Sequence, residues 1–382
     1  MSTESARPDG PLKGLKVLDT STMYAAPMIA TLLADHGADV IKVEPPGGDP
    51  YRAHPAMWTV VARNKGSVVL DLKTDADCDR LRRMIPGIDV IIVNMPPALL
   101  KRRGLDYDTL SALSPGLIMA HFSGYGLTGP YVARAGNGTV SESFAGYTNM
   151  TGEADGPPVM ASVPLGDGLS AFSGAFGVMA ACYQRMHNGG RGALIDVNPI
   201  DAVLQVTGIV LAGYDGKGEA PRRMGNRVAG PNLRDVFETS DGKWITYALS
   251  TPRQWVDIAA LTGHVLDDPA KLDLAGLAKL GVSVRNWTRA RTRDAAMKEL
   301  LARSMMVAPV NDARDLLADE HIRARHSLLY VENPAGARTL TPAPAPRFIG
   351  TEPPPLMHTP ALGADDGRLP VAGGTSGQDS AG

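Results

Sequence analysis

Short apolar blocks alternate with stretches of helical spacing through the first two hundred positions of the chain. Gly14–Asp19 reads as a strand, and the following Pro27–His36 sets Ile29, Leu32 and Leu33 on one helical face that ends at Gly37. Asp39–Glu44 is the next strand, which completes a βαβ unit and calls for a parallel sheet. Ser67–Leu72, Asp89–Asn94, Leu117–His121 and Ala193–Val197 supply further strands. Between the last two, the strongest helical segment begins at Asp167, a carboxylate set between Gly166 and Gly168 ahead of the small-residue apolar run Leu169–Ala181. Aspartate is a favoured N-cap, and flanking glycines also leave a carboxylate open to a reactant. Local sequence leaves both roles open for Asp167.

After about Val206 the pattern changes. A glycine-containing connection over 206–225 leads into a second, smaller α+β region. There Lys243–Ala248 reads as a strand and Arg293–Leu301 as a helix. Strand character returns at Ser327–Glu332 and gives way to a proline-rich stretch. From about Gly363 to the last residue, Gly, Asp, Ser and Ala dominate without periodicity, so 363–382 is expected to be disordered.

Composition narrows the classes. A chain of 382 residues with 44% hydrophobic and 20% charged positions has the make-up of a globular protein large enough for two domains. Its net charge of -2 lacks the basic surplus that neutralising nucleic-acid phosphates requires. Cys78 and Cys182 match neither metal-ligand nor redox spacing, the N-terminus has no basic-then-apolar leader, and no run of about 18 uninterrupted apolar residues occurs. A cytoplasmic protein with no membrane partner is expected.

Gly124-Tyr-Gly126-Leu-Thr-Gly129 has the spacing of a dinucleotide-binding loop and follows a predicted strand. Pro130–Gly136, however, carries no helical stripe to receive a pyrophosphate, so backbone beside a ligand pocket is the better reading. The eight histidines show no supported metal-ligand pairing, and neither a Gly-x-Ser-x-Gly elbow nor a phosphate-loop signature is present. Lys65, Lys73, Lys101, Arg102 and Arg103 are candidates for ligand phosphates, against an ordinary reading as solvated surface groups. Asn94 ends a predicted parallel strand, where open α/β sheets bind ligands.

Taken in order, Leu12–Asp19, Leu32–Pro50, Arg63–Lys73, Ser123–Pro130, Thr151–Val159, Ala308–Asn311 and Ile322–Arg325 resemble the class III coenzyme A transferases of the CaiB/BaiF type. That group includes formyl-CoA and carnitine-CoA transferases and the similar 2-methylacyl-CoA racemases. The resemblance implies a Rossmann-like parallel-sheet large domain over 1–205, completed by 325–362. A 206–225 linker, a small α+β domain over 226–324 and an interlocked, ring-like homodimer complete the picture. It maps the family nucleophile onto Asp167, which would pass through an aspartyl anhydride and an aspartyl-CoA thioester. Acyl-CoA enters as substrate, with no tightly bound cofactor and no metal. Tyr24, Leu70, Lys73, Asn94, Met95, Arg102, Gly136 and Asn137 align with positions that hold CoA. Two departures stand out: Gly66 replaces a basic residue before the third strand, and Met95-Pro96-Pro97-Ala98 replaces an aromatic-Arg-Pro-Gly element.

A racemase needs an acid/base group on each face of the carbon next to the thioester. The racemase branch uses the aspartate at Asp167 together with a histidine where this chain has Asn137. An amide cannot serve as that base, and Glu142, which reads more readily as an exposed or capping carboxylate, replaces it only if it points inward. CoA transfer between an acyl-CoA and a carboxylic acid is therefore the leading expectation. Racemisation or isomerisation of an acyl-CoA is the alternative, and a catalytically inactive CoA-binding protein ranks third. The donor and acceptor acids are not readable from these residues.

Overall fold

The computed structural model describes residues 10–214, 216, 218, 220–228, 230–266, 268, 272–350 and 358–369. The chain forms two compact units, one from Met1–Tyr147, Met160–Asp215 and Ala324–Gly382 and the other from Thr148–Val159 and Gly216–Arg323.

The first unit is built on a six-stranded parallel sheet. Its strands are β1 (Lys16–Asp19), β2 (Asp39–Glu44), β3 (Gly66–Val69), β4 (Val90–Val93), β5 (Ile118–Phe122) and β6 (Leu194–Val197), in the order β3-β2-β1-β4-β5-β6. The order reverses between β1 and β4, whose carboxyl ends open the crevice in which such sheets receive ligands. Alternation along the strands sorts side chains to two faces. Val17, Val40, Val90 and Ile92 pack with Ile29 and Leu33 of the helix Ala25–Ala34 and with Ala171 and Val178 of the helix Leu165–His187. Leu18, Ile41, Ile91 and Val93 pack with Leu81, Leu100 and Leu110 on the opposite face. Parallel strands covered on both faces read as continuous apolar runs, as β4 and β5 do.

Charges buried beneath the crevice are paired. Lys65 Nζ donates to Asp19 Oδ2 (2.8 Å) and to the Pro27 carbonyl (2.7 Å), and Lys42 lies 3.1 Å from Asp49. Lys65 is therefore not a phosphate contact. Its burial pulls the ammonium down to about 8, and the two lysines, with Lys65 and Ser21 as hydrogen-bond donors, hold the Asp19 carboxyl at about 2 against its own burial.

The C-terminal segment also departs from expectation. Far from being disordered, residues 363–369 are ordered, because the edge strand β3 has free ladder groups to satisfy. The N–H groups of Ser67 and Val69 donate to Asp365 Oδ2 (2.9 Å) and Asp366 Oδ1 (2.7 Å), the Asp365 N–H returns a bond to the Ser67 carbonyl, and Leu369 joins the core beside Leu70. The rest of the expected tail, 370–382, lies outside the described residues. Nor is 206–225 wholly a linker. The helix Pro199–Tyr214 runs through its first half, opened by Asn198, whose Oδ1 accepts the Asp201 N–H (2.9 Å). The segment 148–159 belongs to the second unit rather than the first.

The second unit holds an antiparallel sheet of β7 (Leu233–Glu238), β8 (Trp244–Leu249) and β9 (Val307–Pro309). Tyr247, Trp255, Leu277, Leu280, Val284 and Trp287 form its core. In the first unit, β10 (Leu328–Glu332) and β11 (Arg338–Pro342) make an antiparallel pair.

By length and composition the helix Leu165–His187 could cross a bilayer. One face of it, with Gly174, Val178 and Ala181, is buried within the first unit, and Asp167 and Arg185 lie near its two ends.

Candidate active site

Two helices meet end to end at the site. The helix Leu165–His187 starts two residues before the position expected, with Pro164 as its N-cap, so Asp167 is the third helical residue and not the cap. The other helix, Gly138–Phe144, is capped by Asn137, whose Oδ1 accepts the Val140 N–H (3.0 Å). Each helix lends a backbone donor to the other's carboxylate. Gly138 N–H donates to Asp167 Oδ1 (3.0 Å), and Gly166 N–H donates to Glu142 Oε1 (2.8 Å). Helix N-terminal N–H groups lack intrahelical partners, and their partial positive charge favours anions.

Glycine is a steric requirement at both contacts. A Cβ on Gly138 would lie 2.5 Å from Asp167 Cγ, and one on Gly166 would lie 2.7 Å from the Gly138 carbonyl oxygen. Gly168 faces open space, so of the two glycines flanking Asp167 it is the one that leaves room beside the carboxylate.

Glu142 corrects the sequence reading of an exposed or capping carboxylate. It is 1% exposed, and its Oε2 has no hydrogen-bond partner among the described residues. Burial pushes the Asp167 carboxyl above the usual aspartate range, the Gly138 N–H opposes the rise, and the Glu142 charge adds to it. A more basic carboxylate is a better nucleophile once ionised. Tyr24 and Tyr51 pack on the cluster of Trp58, Val61 and Ala62. Both phenols are pushed up, first by burial and next by the negative charge of Asp167. Tyr51 was missed in sequence because nothing in Asp49-Pro50-Tyr51 signals that it sits within the field of a carboxylate more than a hundred residues away.

The other sequence candidates have more varied settings. Tyr24 is the N-cap residue of the helix Ala25–Ala34. Asn94 spends its amide on one backbone unit, accepting the Thr22 N–H (3.2 Å) and donating to the Thr22 carbonyl (2.8 Å), which ties the loops after β1 and β4 together at the switch point. The Leu70 side chain is core, so only its backbone is available to a ligand. Lys73 is exposed at the turn before the helix Asp75–Met84, and Arg102 is exposed in the last turn of the helix Pro97–Arg102. Met95 accepts at its carbonyl from His121 Nε2 (2.8 Å) and at its sulfur from Arg103 Nη1 (3.7 Å). Gly136 packs against Gly124 so closely that a Cβ on Gly124 would lie 2.5 Å from the Gly136 Cα. The Gly124–Gly129 segment opens no helix, since the next one starts only at Gly138.

A parallel sheet with a switch-point crevice is the frame of an α/β enzyme, and the half-buried carboxylate held by a backbone donor among glycines is its candidate nucleophile. The sequence profile of CoA-transferase family III matches residues 12–366, and the chain belongs to that family. It is 32% identical over 374 residues to a succinyl-CoA–D-citramalate CoA-transferase of Chloroflexus aurantiacus, covering 94% of this chain and 93% of that one. A succinate–glutarate CoA-transferase of Agrobacterium fabrum is 32% identical over 342 residues, covering 82% and 84% of the two chains. The crystal structure of a CaiB/BaiF family protein from Brucella suis superposes with a TM-score of 0.80 at 29% identity, over 94% of this chain and 98% of that one.

Proposed function

We propose that the enzyme transfers CoA from an acyl-CoA to a small carboxylic acid through covalent intermediates on Asp167, and that its acids are dicarboxylates like those in its relatives' names. The observation that carries this reading is Asp167 itself, ionisable, half-buried and held by the Gly138 N–H. Its carboxylate adds to the thioester carbonyl and expels CoA thiolate, giving a mixed anhydride. The thiolate then attacks the aspartyl carbonyl, releases the donor acid as its carboxylate and leaves an aspartyl-CoA thioester. The acceptor carboxylate reverses these two steps, forming a new anhydride and then a new acyl-CoA, and Asp167 returns ionised. No net proton is consumed, so the site needs no second base. That agrees with Asn137 serving as a helix cap where a racemase would carry histidine.

Tyr24, Leu70 through its backbone, Lys73, Asn94, Met95, Arg102, Gly136 and Asn137 form the proposed CoA surface, with the cytoplasm as compartment. Cys78 and Cys182 are both free thiols, which suits a reducing environment. The proposed assembly is the interlocked homodimer. Phe172, Phe176, Met179, Tyr183 and Met186 follow the four-three spacing of a helical seam and are all exposed, Phe176 to 77%. Single chains rarely leave so long an apolar stripe in water. Light scattering is expected to give twice the chain mass, and a monomer at micromolar concentration would refute the assembly.

The test of function is exchange. Incubated with succinyl-CoA and a mixture of labelled carboxylic acids, the enzyme is expected to move CoA onto dicarboxylates, as read by mass spectrometry. Deuterium entering the 2-position of a branched acyl-CoA without CoA exchange would instead support the racemase.

A further inference from the structure

The second unit contains a cavity of about 500 Å³ lined wholly by its own residues. Its floor is apolar, formed by the buried Leu233 and Phe237 of β7 and by Leu277 of the helix Leu274–Arg289. Gly281 closes one side, and a Cβ there would lie 3.3 Å from Leu233 Cδ1. Its rim carries three guanidinium groups. Arg234 Nη1 is committed to the Asn226 carbonyl (2.7 Å), whereas Arg285 lies over the Phe237 ring (5.4 Å). Among the described residues, neither Arg285 nor Arg227 has an ion pair or a side-chain hydrogen bond. Of the two carboxylates at the cavity, Asp235 Oδ1 already accepts from the Val236 N–H (2.8 Å) and from Asn226 Nδ2 (3.3 Å), and Glu153 lies on the Gly225 side.

Two unpaired guanidinium forks over an apolar floor fit an anion with planar, two-oxygen ends and a short hydrocarbon body. We propose that this cavity binds a small aliphatic dicarboxylate, with Arg227 and Arg285 engaging its carboxylates while Leu233, Phe237 and Leu277 pack on its methylene groups. The proposal rests on the reading of the enzyme as one that works on such acids. A monocarboxylate of the same length leaves one guanidinium unmatched and binds less well. The 3′-phosphate of CoA also suits a guanidinium, but it brings a ribose and adenine rather than a hydrocarbon chain.

Equilibrium dialysis of labelled succinate and glutarate against the full-length Asp167→Ala enzyme tests the site with the covalent chemistry removed, so its outcome is independent of the fate of the transfer mechanism. Saturable binding is expected, weakened at least about tenfold by Arg227→Gln with Arg285→Gln, since bonds from charged donors contribute more than neutral ones. Arg303→Gln, at an exposed arginine outside the cavity, should leave binding unchanged, and butyrate should compete poorly. Equal binding by the double variant, no saturable binding of either acid, or displacement by CoA would each overturn the proposal. With Asp167 intact, a raised KM for the acid at constant kcat identifies the bound dicarboxylate as the acceptor. A changed kcat at constant KM identifies it as an effector.

Discussion

Replacing Asp167 with alanine is expected to lower CoA transfer by at least about a thousandfold, as removal of a covalent nucleophile does. The fold should persist, because among the described residues the side chain makes one hydrogen bond, accepted from the Gly138 N–H, and it sits in the first turn of a helix anchored further along by Gly174 and Val178. Stability should rise rather than fall in the isosteric Asp167→Asn. The carboxyl is pushed above its ordinary range by burial and by Glu142, so the folded protein holds this proton more tightly than the unfolded chain does. That stabilising contribution is fully present below the unfolded pKa and is lost as pH rises through the higher folded one. At neutral pH the ionised Asp167 therefore weakens the fold. Thermal unfolding should show Asp167→Asn above the parent at neutral pH, with the gap closing in acid. The same elevation sets the acid limb of the transfer rate above the usual aspartate range. Hydroxylamine should release CoA from the parent incubated with acyl-CoA and not from either variant. Transfer by Asp167→Ala within about tenfold of the parent would sink the assignment.

The contrast between what was legible in the sequence and what was not follows from the range of the interactions. Strands buried on both faces, such as Val90–Val93 and Ile118–Phe122, are specified by contiguous apolar residues and were read to within a residue or two. Ordered motifs pointed to the family whose profile matches residues 12–366. Pairings across long sequence separations were not legible. Lys65 looks like a surface cation until β1 brings Asp19 against it. Glu142 looks like a cap until the start of another helix supplies the Gly166 N–H. The segment around Asp365 and Asp366 has a tail's composition, yet the free edge of β3 gives its carboxylates two donors. The one available signal for Glu142 was Gly136-Asn137-Gly138 ahead of it, a capping residue between glycines where a helix can begin hard against another backbone.

Gly138→Ala is expected to lower transfer by about a hundredfold, because misplacing a reacting group by about an ångström carries that order of cost. The constraint is space, since Gly138 does not adopt the left-handed conformation. Its added methyl would lie 2.5 Å from both Asp167 Cγ and Asp167 N and 2.7 Å from Oδ2. A side-chain tip could swing away, but a helix backbone nitrogen cannot, so the two helix starts must separate and carry the carboxylate with them. The same movement breaks the Gly138 N–H bond to Asp167 and loosens the Gly166 N–H bond to Glu142, leaving a buried carboxylate without its donor. Gly168→Ala provides the comparison, because Gly168 meets open space in the first turn of the same helix. Alanine there favours the helix by up to about 1 kcal/mol and leaves the Gly138 contact untouched. Circular dichroism separates misplacement from unfolding: a folded Gly138→Ala with kcat reduced and the aspartyl-CoA adduct lost is the expected result. A folded variant that transfers CoA at the parent's rate would mean that Asp167 does not react from the position this contact holds.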